Sequence, residues 1–282
     1  MAEECIFDKP HAQRLVRARQ SALQPVLTDI RGKLRIESAA DVGCGVGYFS
    51  EFLKELGFDV VGFDGRSENV EEAKRRYPTI EFKHANVEDE SILERGSFDL
   101  VLCMGLLYHL ENPLRALRNL SSIANQLLVI ESFAIPQRET VFYLREEPFL
   151  EDQSLTYLTF HPSETSIIKV CYRVGFPWVY RFEPLPNHED FQDRVERRRQ
   201  RTMLLASRTS LDLACLALVS EPQDRHDPWE TTAGKIVRYW VFFKSQISKG
   251  PLGKWLRALR VRHDRTPNAS SGRMGGGSEH TE

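Results

Sequence analysis

Asp41-Val42-Gly43-Cys44-Gly45-Val46-Gly47 is the stretch of this 282-residue chain whose residue types and spacing most directly suggest chemistry. Glycines at alternate positions permit positive φ and leave no Cβ between backbone and ligand. An apolar run, Ser38 to Val42, leads into the turn, and a helix-like stretch from Tyr48 leads out of it. The turn therefore sits at a helix N-terminus, where free N–H groups could meet a ligand. A phosphate loop would need Gly-Lys-Ser or Gly-Lys-Thr, which is absent. A dinucleotide fingerprint would need glycine at 48, where the chain has Tyr48. A tight turn with only a structural purpose is the bland alternative.

Other residues could join this turn. Asp64 ends the second apolar run, 17 residues beyond Gly47. A carboxylate there can accept both hydroxyl hydrogens of a ribose, or it can serve as a helix cap or turn former ahead of Ser67. Asn86 and Val87 follow the third run, and Asn86 alone is also ordinary turn chemistry. His109 carries an imidazole that titrates near neutrality and suits a general base. It could equally pack against, or cap, a helix that starts around Asn112-Pro113. The five cysteines form no C-x-x-C pair, which argues against a zinc site and a disulfide framework, so no metal is expected.

The elements that must position these residues alternate. Short apolar runs at 38–42, 60–63, 80–83, 98–104 and 127–132 are separated by helix-like segments at 48–56, 68–77 and 113–124. Two further strands are expected at 178–182 and 203–207, after a helix from Pro162 to Arg173. Such alternation predicts a parallel sheet covered on both faces. Residues 134–161 show no clear periodicity and read as an inserted loop or lid, with Glu146, Glu147, Glu151 and Asp152 as its acids.

The turn at 41–47 resembles the D-x-G-C-G-x-G turn of the class I, Rossmann-like S-adenosylmethionine-dependent methyltransferases at every defined position. Phe98-Asp99-Leu100-Val101 through Met104-Gly105-Leu106-Leu107-Tyr108-His109-Leu110 resembles that family's fourth-strand segment. The resemblance covers residues 38–133. It implies a doubly wound, seven-stranded, mostly parallel α/β sheet over about 35–210, with the last strand antiparallel. It further implies S-adenosyl-L-methionine as cofactor, held by Asp41, Gly43, Cys44, Gly45, Gly47, Asp64, Asn86, Val87, Met104 and Tyr108, with His109 beside the sulfur end as candidate base. The family more often has Asp where this chain has Asn86. The segment 103–114 is also similar to the wobble-uridine carboxymethyltransferases of tRNA, which use a carboxylated S-adenosylmethionine.

Composition bounds the rest. A formal net charge of −2 and a pI near 6.5 demand neither nucleic acid nor membrane as partner. No apolar stretch is long enough to cross a bilayer, and the N-terminus lacks a signal-peptide layout, so a cytoplasmic protein is expected. Residues 1–34 are expected to form a helical segment over the cofactor cleft, 211–265 a basic helical extension and 266–282 a disordered Gly/Ser-rich tail. The arginines at 197–201 could track phosphates, or form a solvated face. The leading expectation is methylation of a small-molecule acceptor at O or N. Modification of tRNA is the second reading, and a cofactor-binding interaction module without catalysis is a third.

Overall fold

The computed structural model describes residues 5–147, 153–194 and 198–223, together with 234, 236, 237 and 239–242. The chain divides into two units, Met1–Asp224 and Arg225–Glu282. In the second unit the described residues are helical. Residues 252–262 and the tail 266–282, expected to be helical and disordered respectively, lie outside the described residues.

In the first unit, helix α1 (Pro10–Lys33) precedes β1 (Ser38–Val42), α2 (Tyr48–Glu55), β2 (Asp59–Asp64), α3 (Ser67–Arg76) and β3 (Glu81–His84). Then come β4 (Phe98–Met104), α4 (Pro113–Ile123), β5 (Ala124–Phe133), β6 (Phe142–Glu146) and β7 (Leu158–Pro162). Helix α5 (Glu164–Arg173), β8 (Trp178–Phe182), β9 (Arg201–Ser207) and β10 (Leu216–Leu218) complete it. The main sheet has eight strands in the order β10-β8-β9-β5-β4-β1-β2-β3. Strands β1 to β5 run parallel, and β9 is inserted antiparallel to both β5 and β8.

Alternation along each strand builds two cores. Ala39, Leu100, Leu102, Leu127, Val129, Met203 and Leu205 point to one face and pack with residues of α1, α2 and α3. Ala40, Val42, Val101, Cys103, Leu128, Ile130, Leu204 and Ala206 point to the other and pack with α4 and α5. This is the period-two consequence of the pleat. Proline at the first helical position starts both α1 and α4, where its missing N–H costs no hydrogen bond. The Asn112 side chain caps α4 by accepting from Arg115 N–H.

Several elements differ from the sequence expectation. The sheet has an eighth strand, β10, three residues long and paired antiparallel with β8; it occupies residues that had been assigned to a helical extension. The segment 134–161 is not a plain loop, because β6 and β7 form an antiparallel two-stranded sheet within it. Strand β6 is mostly exposed and β7 buries only Thr159 and Pro162, so no continuous buried face imposes an alternating pattern on the sequence. Helix α1 buries Leu15, Leu23, Val26, Leu27 and Ile30 against the sheet.

A fully buried carboxylate fastens this arrangement. Glu131 on β5 is salt-bridged to Arg19 of α1 at 2.5 Å and to Arg201 of β9 at 3.0 Å. The Arg201 guanidinium also lies 3.8 Å from the centre of the Phe133 ring and donates to the Tyr108 hydroxyl at 3.3 Å. The arginine run is therefore partly internal: Arg201 is buried, and Arg199 is bonded to Glu164. Breaking a buried ion pair from one side strands the other charge. Glu131→Gln is expected to lower unfolding free energy by about 3–5 kcal/mol in a denaturant titration; a loss under about 1 kcal/mol would show that the two guanidiniums do not depend on it.

Candidate functional site

The carboxyl ends of β1, β2, β3 and β4 open on one cavity. It is lined by Gly43 and Gly45, by Asp64, Gly65, Arg66 and Asn69, by Ala85, Asn86 and Val87, and by Met104, Gly105, Leu106, His109 and Leu110. Open parallel sheets place ligands at this edge. Phe7, from the turn ahead of α1, and Gln153 and Leu155, from the segment between β6 and β7, close over it.

The glycine turn works differently from the expected array of free N–H groups. Gly43 and Cys44 both donate to the Phe63 carbonyl, Gly45 donates to the Asp64 carboxylate at 2.8 Å, and Gly47 donates to the Cys44 carbonyl. These donors are already satisfied. What the turn offers is close approach: a Cβ on Gly43 would meet Leu106 at 2.9 Å, and one on Gly45 would meet the Phe7 ring at 3.0 Å. Both residues also hold positive φ, so alanine at either is strained as well as crowded.

Asp64 is the best-placed polar group. Its Oδ1 accepts from Arg66 N–H at 2.9 Å and from the Asn69 amide at 3.1 Å, while Oδ2 accepts from Gly45. A carboxylate has about four acceptor sites, so capacity remains for a ligand hydroxyl. Burial raises its pKa, and the backbone N–H groups of Arg66 and Gly45 oppose that rise. Asn86 lines the cavity and also accepts from Glu88 N–H at 3.0 Å, so it is both a turn former and a wall.

Not every residue expected at the site reaches the cavity. Gly43, Gly45, Asp64, Asn86, Val87, Met104 and His109 line it. Asp41, Cys44, Gly47 and Tyr108 lie behind the wall. The Asp41 carboxylate accepts from the Ser50 hydroxyl at 2.7 Å. Cys44 packs into the core on the α1 face. Gly47 has Tyr77 and Phe82 against it, a Cβ there meeting the Tyr77 ring at 2.8 Å. Burial pushes the thiols of Cys44 and Cys103 up, which removes both as nucleophiles near neutral pH.

His109 ends the 3-10 turn Leu107–His109 that follows Gly105. Its Nδ1 lies 2.6 Å from Oε1 of Glu147, at the end of β6. Glu147 is partly desolvated, but the His109 contact outweighs burial and lowers its pKa. Tyr108, Phe133 and His161 surround this pair, with the His161 ring parallel to Phe133. Burial, with Arg145 next, lowers His161 to about 4, so it is neutral at neutral pH.

Sequence reasoning assigns no role to Phe7, Leu155, Arg19 or Glu131, places Arg201 in a phosphate-tracking or solvated run, and takes Glu147 only as one of several lid acids. Two signals existed. Glu131 is a lone acid inside the apolar run Leu127–Ser132, and Arg19 falls on the Leu15–Leu23–Leu27 stripe at four-residue spacing, where a charge is unusual unless paired. Phe7 and Leu155 carry no such mark.

Residues 40–126 match a family model described as a methyltransferase domain. A ubiquinone biosynthesis O-methyltransferase of Xanthomonas campestris pv. campestris (strain B100) is 34% identical over 109 residues, which is 36% of this chain and 46% of that protein. The protein of the same name from Psychrobacter cryohalolentis is 37% identical over 79 residues, 26% of this chain and 31% of its own length. The matches thus span less than half of these relatives. Among solved structures, the N-terminal domain of EvdMO1 with SAH bound has a TM-score of 0.51 at 21% identity, covering 71% of this chain and 82% of that one. An S-adenosylmethionine-dependent methyltransferase from Clostridium acetobutylicum has a TM-score of 0.50 at 13% identity, covering 72% and 96%. These likenesses carry the fold.

Burial lifts the Asp41 carboxyl from 3.8 to about 7, with the Asp64 charge adding to the effect. Between those values the folded chain holds a proton that the unfolded chain releases, so Asp41 makes stability fall as pH rises through this window. Asp41→Asn mimics the protonated form. The stability advantage of the variant over the wild type should grow from about pH 4 to about pH 7 and then level off, read as denaturation midpoints. A gap that stays flat would mean that Asp41 ionises freely in its pocket.

Proposed function

We propose that the chain is a class I methyltransferase that moves a methyl group from S-adenosylmethionine to an oxygen of a small-molecule acceptor, with His109 taking the acceptor's proton; the methyltransferase-domain match over residues 40–126 supports this reading. The observation that carries the cofactor is the state of the glycine turn. Four of its N–H groups, those of Gly43, Cys44, Gly45 and Gly47, are spent on Phe63, Asp64 and Cys44, and two buried carboxylates, Asp41 and Asp64, stand beside it. Phosphate recognition needs the reverse, free N–H donors without neighbouring acids. A nucleoside bearing a sulfonium cation suits a bare glycine surface next to a carboxylate.

The residues present fit that cofactor. Asp64 would hold the ribose hydroxyls, Gly43 and Gly45 would let the chain lie against the ligand, and Ala85, Val87 and Leu110 would supply apolar walls. S-adenosylmethionine, when bound, supplies an activated methyl group on a good leaving group. The protein's share is to orient the acceptor and exclude water. Phe7 and Leu155, which pack on Gly45 and Gly65, are placed to do the second and must swing aside for entry.

For an oxygen acceptor the remaining need is a base. With Nδ1 2.6 Å from Oε1 of Glu147, His109 would keep its proton on that side and present Nε2 as acceptor. Glu147 then acts as a positioning residue that fixes the tautomer and stabilises the imidazolium. Support for an oxygen acceptor of modest size comes from the O-methyltransferase names of the relatives. Phosphate tracking by the arginine run is disfavoured, since Arg199 and Arg201 are consumed internally.

Two measurements test this reading. Asp64→Ala should weaken S-adenosylmethionine binding at least about tenfold by calorimetry, roughly the value of one charge-assisted hydrogen bond; unchanged affinity would remove Asp64 from the site. His109→Ala should leave cofactor affinity intact while lowering turnover about 10²–10⁴-fold. Glu147→Gln should lower turnover by less than His109→Ala, as expected of a residue that only positions the base. Turnover of His109→Ala within a few-fold of wild type would reject it as base.

A further inference from the structure

Away from the cavity, two histidines distant in sequence meet on the surface beside α1. His11 lies in the first turn of α1, and His188 precedes the short turn Glu189–Phe191 that leads towards β9. One ligand atom from each of His11, His188 and Glu189 can be chosen so that all lie within 4.8 Å of one another. The rings meet edge to face with centroids 5.1 Å apart. Asp190 adds a carboxylate oxygen 3.8 Å from Nε2 of His11 and 3.7 Å from Nδ1 of His188.

Ordinary pairing explains only part of this convergence: Oε2 of Glu189 lies 3.1 Å from Arg194, and Nδ1 of His188 accepts from Asp190 N–H at 3.3 Å, so Nε2 is the His188 atom that would serve as ligand. Nδ1 of His11 is 3.8 Å from Glu189 and Nε2 is 3.8 Å from Asp190, both beyond hydrogen-bond length. His11 is half exposed, so an ion pair at that separation is worth little. His188 is buried, and its carbonyl and N–H are fixed by Phe191 and Pro186. One imidazole is therefore rigid and the other adjustable, with a carboxylate at their junction.

We propose that His11, His188 and Glu189 form a divalent transition-metal site, with Zn²⁺ as the fitting ion and Asp190 as the fourth candidate ligand. Two imidazoles and a carboxylate form a donor set characteristic of zinc and neighbouring first-row metals, whereas Mg²⁺ and Ca²⁺ select all-oxygen sets. At metal–ligand distances of about 2.0–2.2 Å, tetrahedral ligand atoms sit about 3.3–3.5 Å apart. The donors must close by up to about 1.5 Å, towards which a rotation of His11 on its exposed first turn contributes. A thiol-based zinc pattern is missing from the sequence, and this site had no sequence signature because its ligands are 177 residues apart.

The site would be structural. It would staple the start of α1, and with it Phe7 four residues upstream, to the segment whose Asp190 lies 3.4 Å from Nε of Arg201. Metal binding would then stabilise the folded chain by mass action, independently of whether methyl transfer takes place.

The test uses the full-length, metal-stripped chain. Calorimetry with Zn²⁺ should show one ion bound per chain, with a concentration-dependent rise in melting temperature. Co²⁺ as a probe should give the intense visible bands of a low-symmetry, tetrahedral-type nitrogen and oxygen site. His11→Ala, which removes an exposed side chain and leaves folding intact, should weaken Zn²⁺ at least about tenfold, and Glu189→Gln should do the same. His84→Ala, remote from the cluster, should change nothing. Absence of stoichiometric binding overturns the proposal, as does Zn²⁺ affinity equal in wild type, His11→Ala and Glu189→Gln.

Discussion

Glu131 holds two guanidiniums in a place without water, and much of the site hangs on that contact. Its backbone carbonyl accepts from Gly105 N–H at 2.9 Å, so the residue that anchors Arg19 and Arg201 also sets the end of β4. From there the chain turns through Gly105 at positive φ into Tyr108 and His109. Arg201 stacks on Phe133 and reaches Tyr108. Helix α1, two sheet strands and the candidate base are thus tied to one carboxylate, and none can shift without leaving a buried charge exposed to a low dielectric. The cost of assembling such a cluster is high. Its return is a fixed geometry at the point where the acceptor must be oriented.

The glycine turn shows a second constraint. Because its donors are satisfied internally, the turn is rigid before any ligand arrives, and Asp64 is part of that rigidity through Gly45 and Arg66. The same carboxylate that would recognise a ribose thus braces the loop. Desolvation raises the pKa of both Asp41 and Asp64, which favours a ligand whose positive charge offsets theirs. Electrostatics and backbone bonding converge on the same class of ligand, although each follows from a different feature of the sequence.

The parallel core was legible because strands buried on both faces must be continuous apolar runs, and the helices between them must show one apolar stripe. Strands β1 to β5 and helices α2 to α4 accordingly appear within a few residues of their expected limits. What stayed hidden lacks that constraint. Strand β6 is largely exposed and β7 only partly buried, and β10 has three residues, too few to display a period. Of the site, the wall residues on strand ends could be placed from the resemblance of the turn and the fourth-strand segment to the family's motifs. Phe7 and Leu155 could not, since their role depends on where distant segments fold back. Asp41, Cys44 and Gly47 belong to the recognisable turn but face away from the cavity, because alternate residues of a strand and its following turn cannot all point one way.

Positioning the base with a residue from the hairpin has a mechanistic consequence. His109 stands on the rigid edge of the sheet, whereas Glu147 stands at the end of β6 and its backbone N–H bonds to Tyr157 across the lid. Gln153 N–H donates to the same Glu147 carboxylate, and Leu155, two residues on, packs over Gly65 at the cofactor cavity. On the proposed function, closing this segment over a bound cofactor and directing the His109 proton would be one movement. With the segment displaced, the imidazole would lose its carboxylate and water would reach the cavity. A base competent only when the cavity is covered would limit wasteful reaction of an activated methyl group with solvent, a single glutamate coupling the two events.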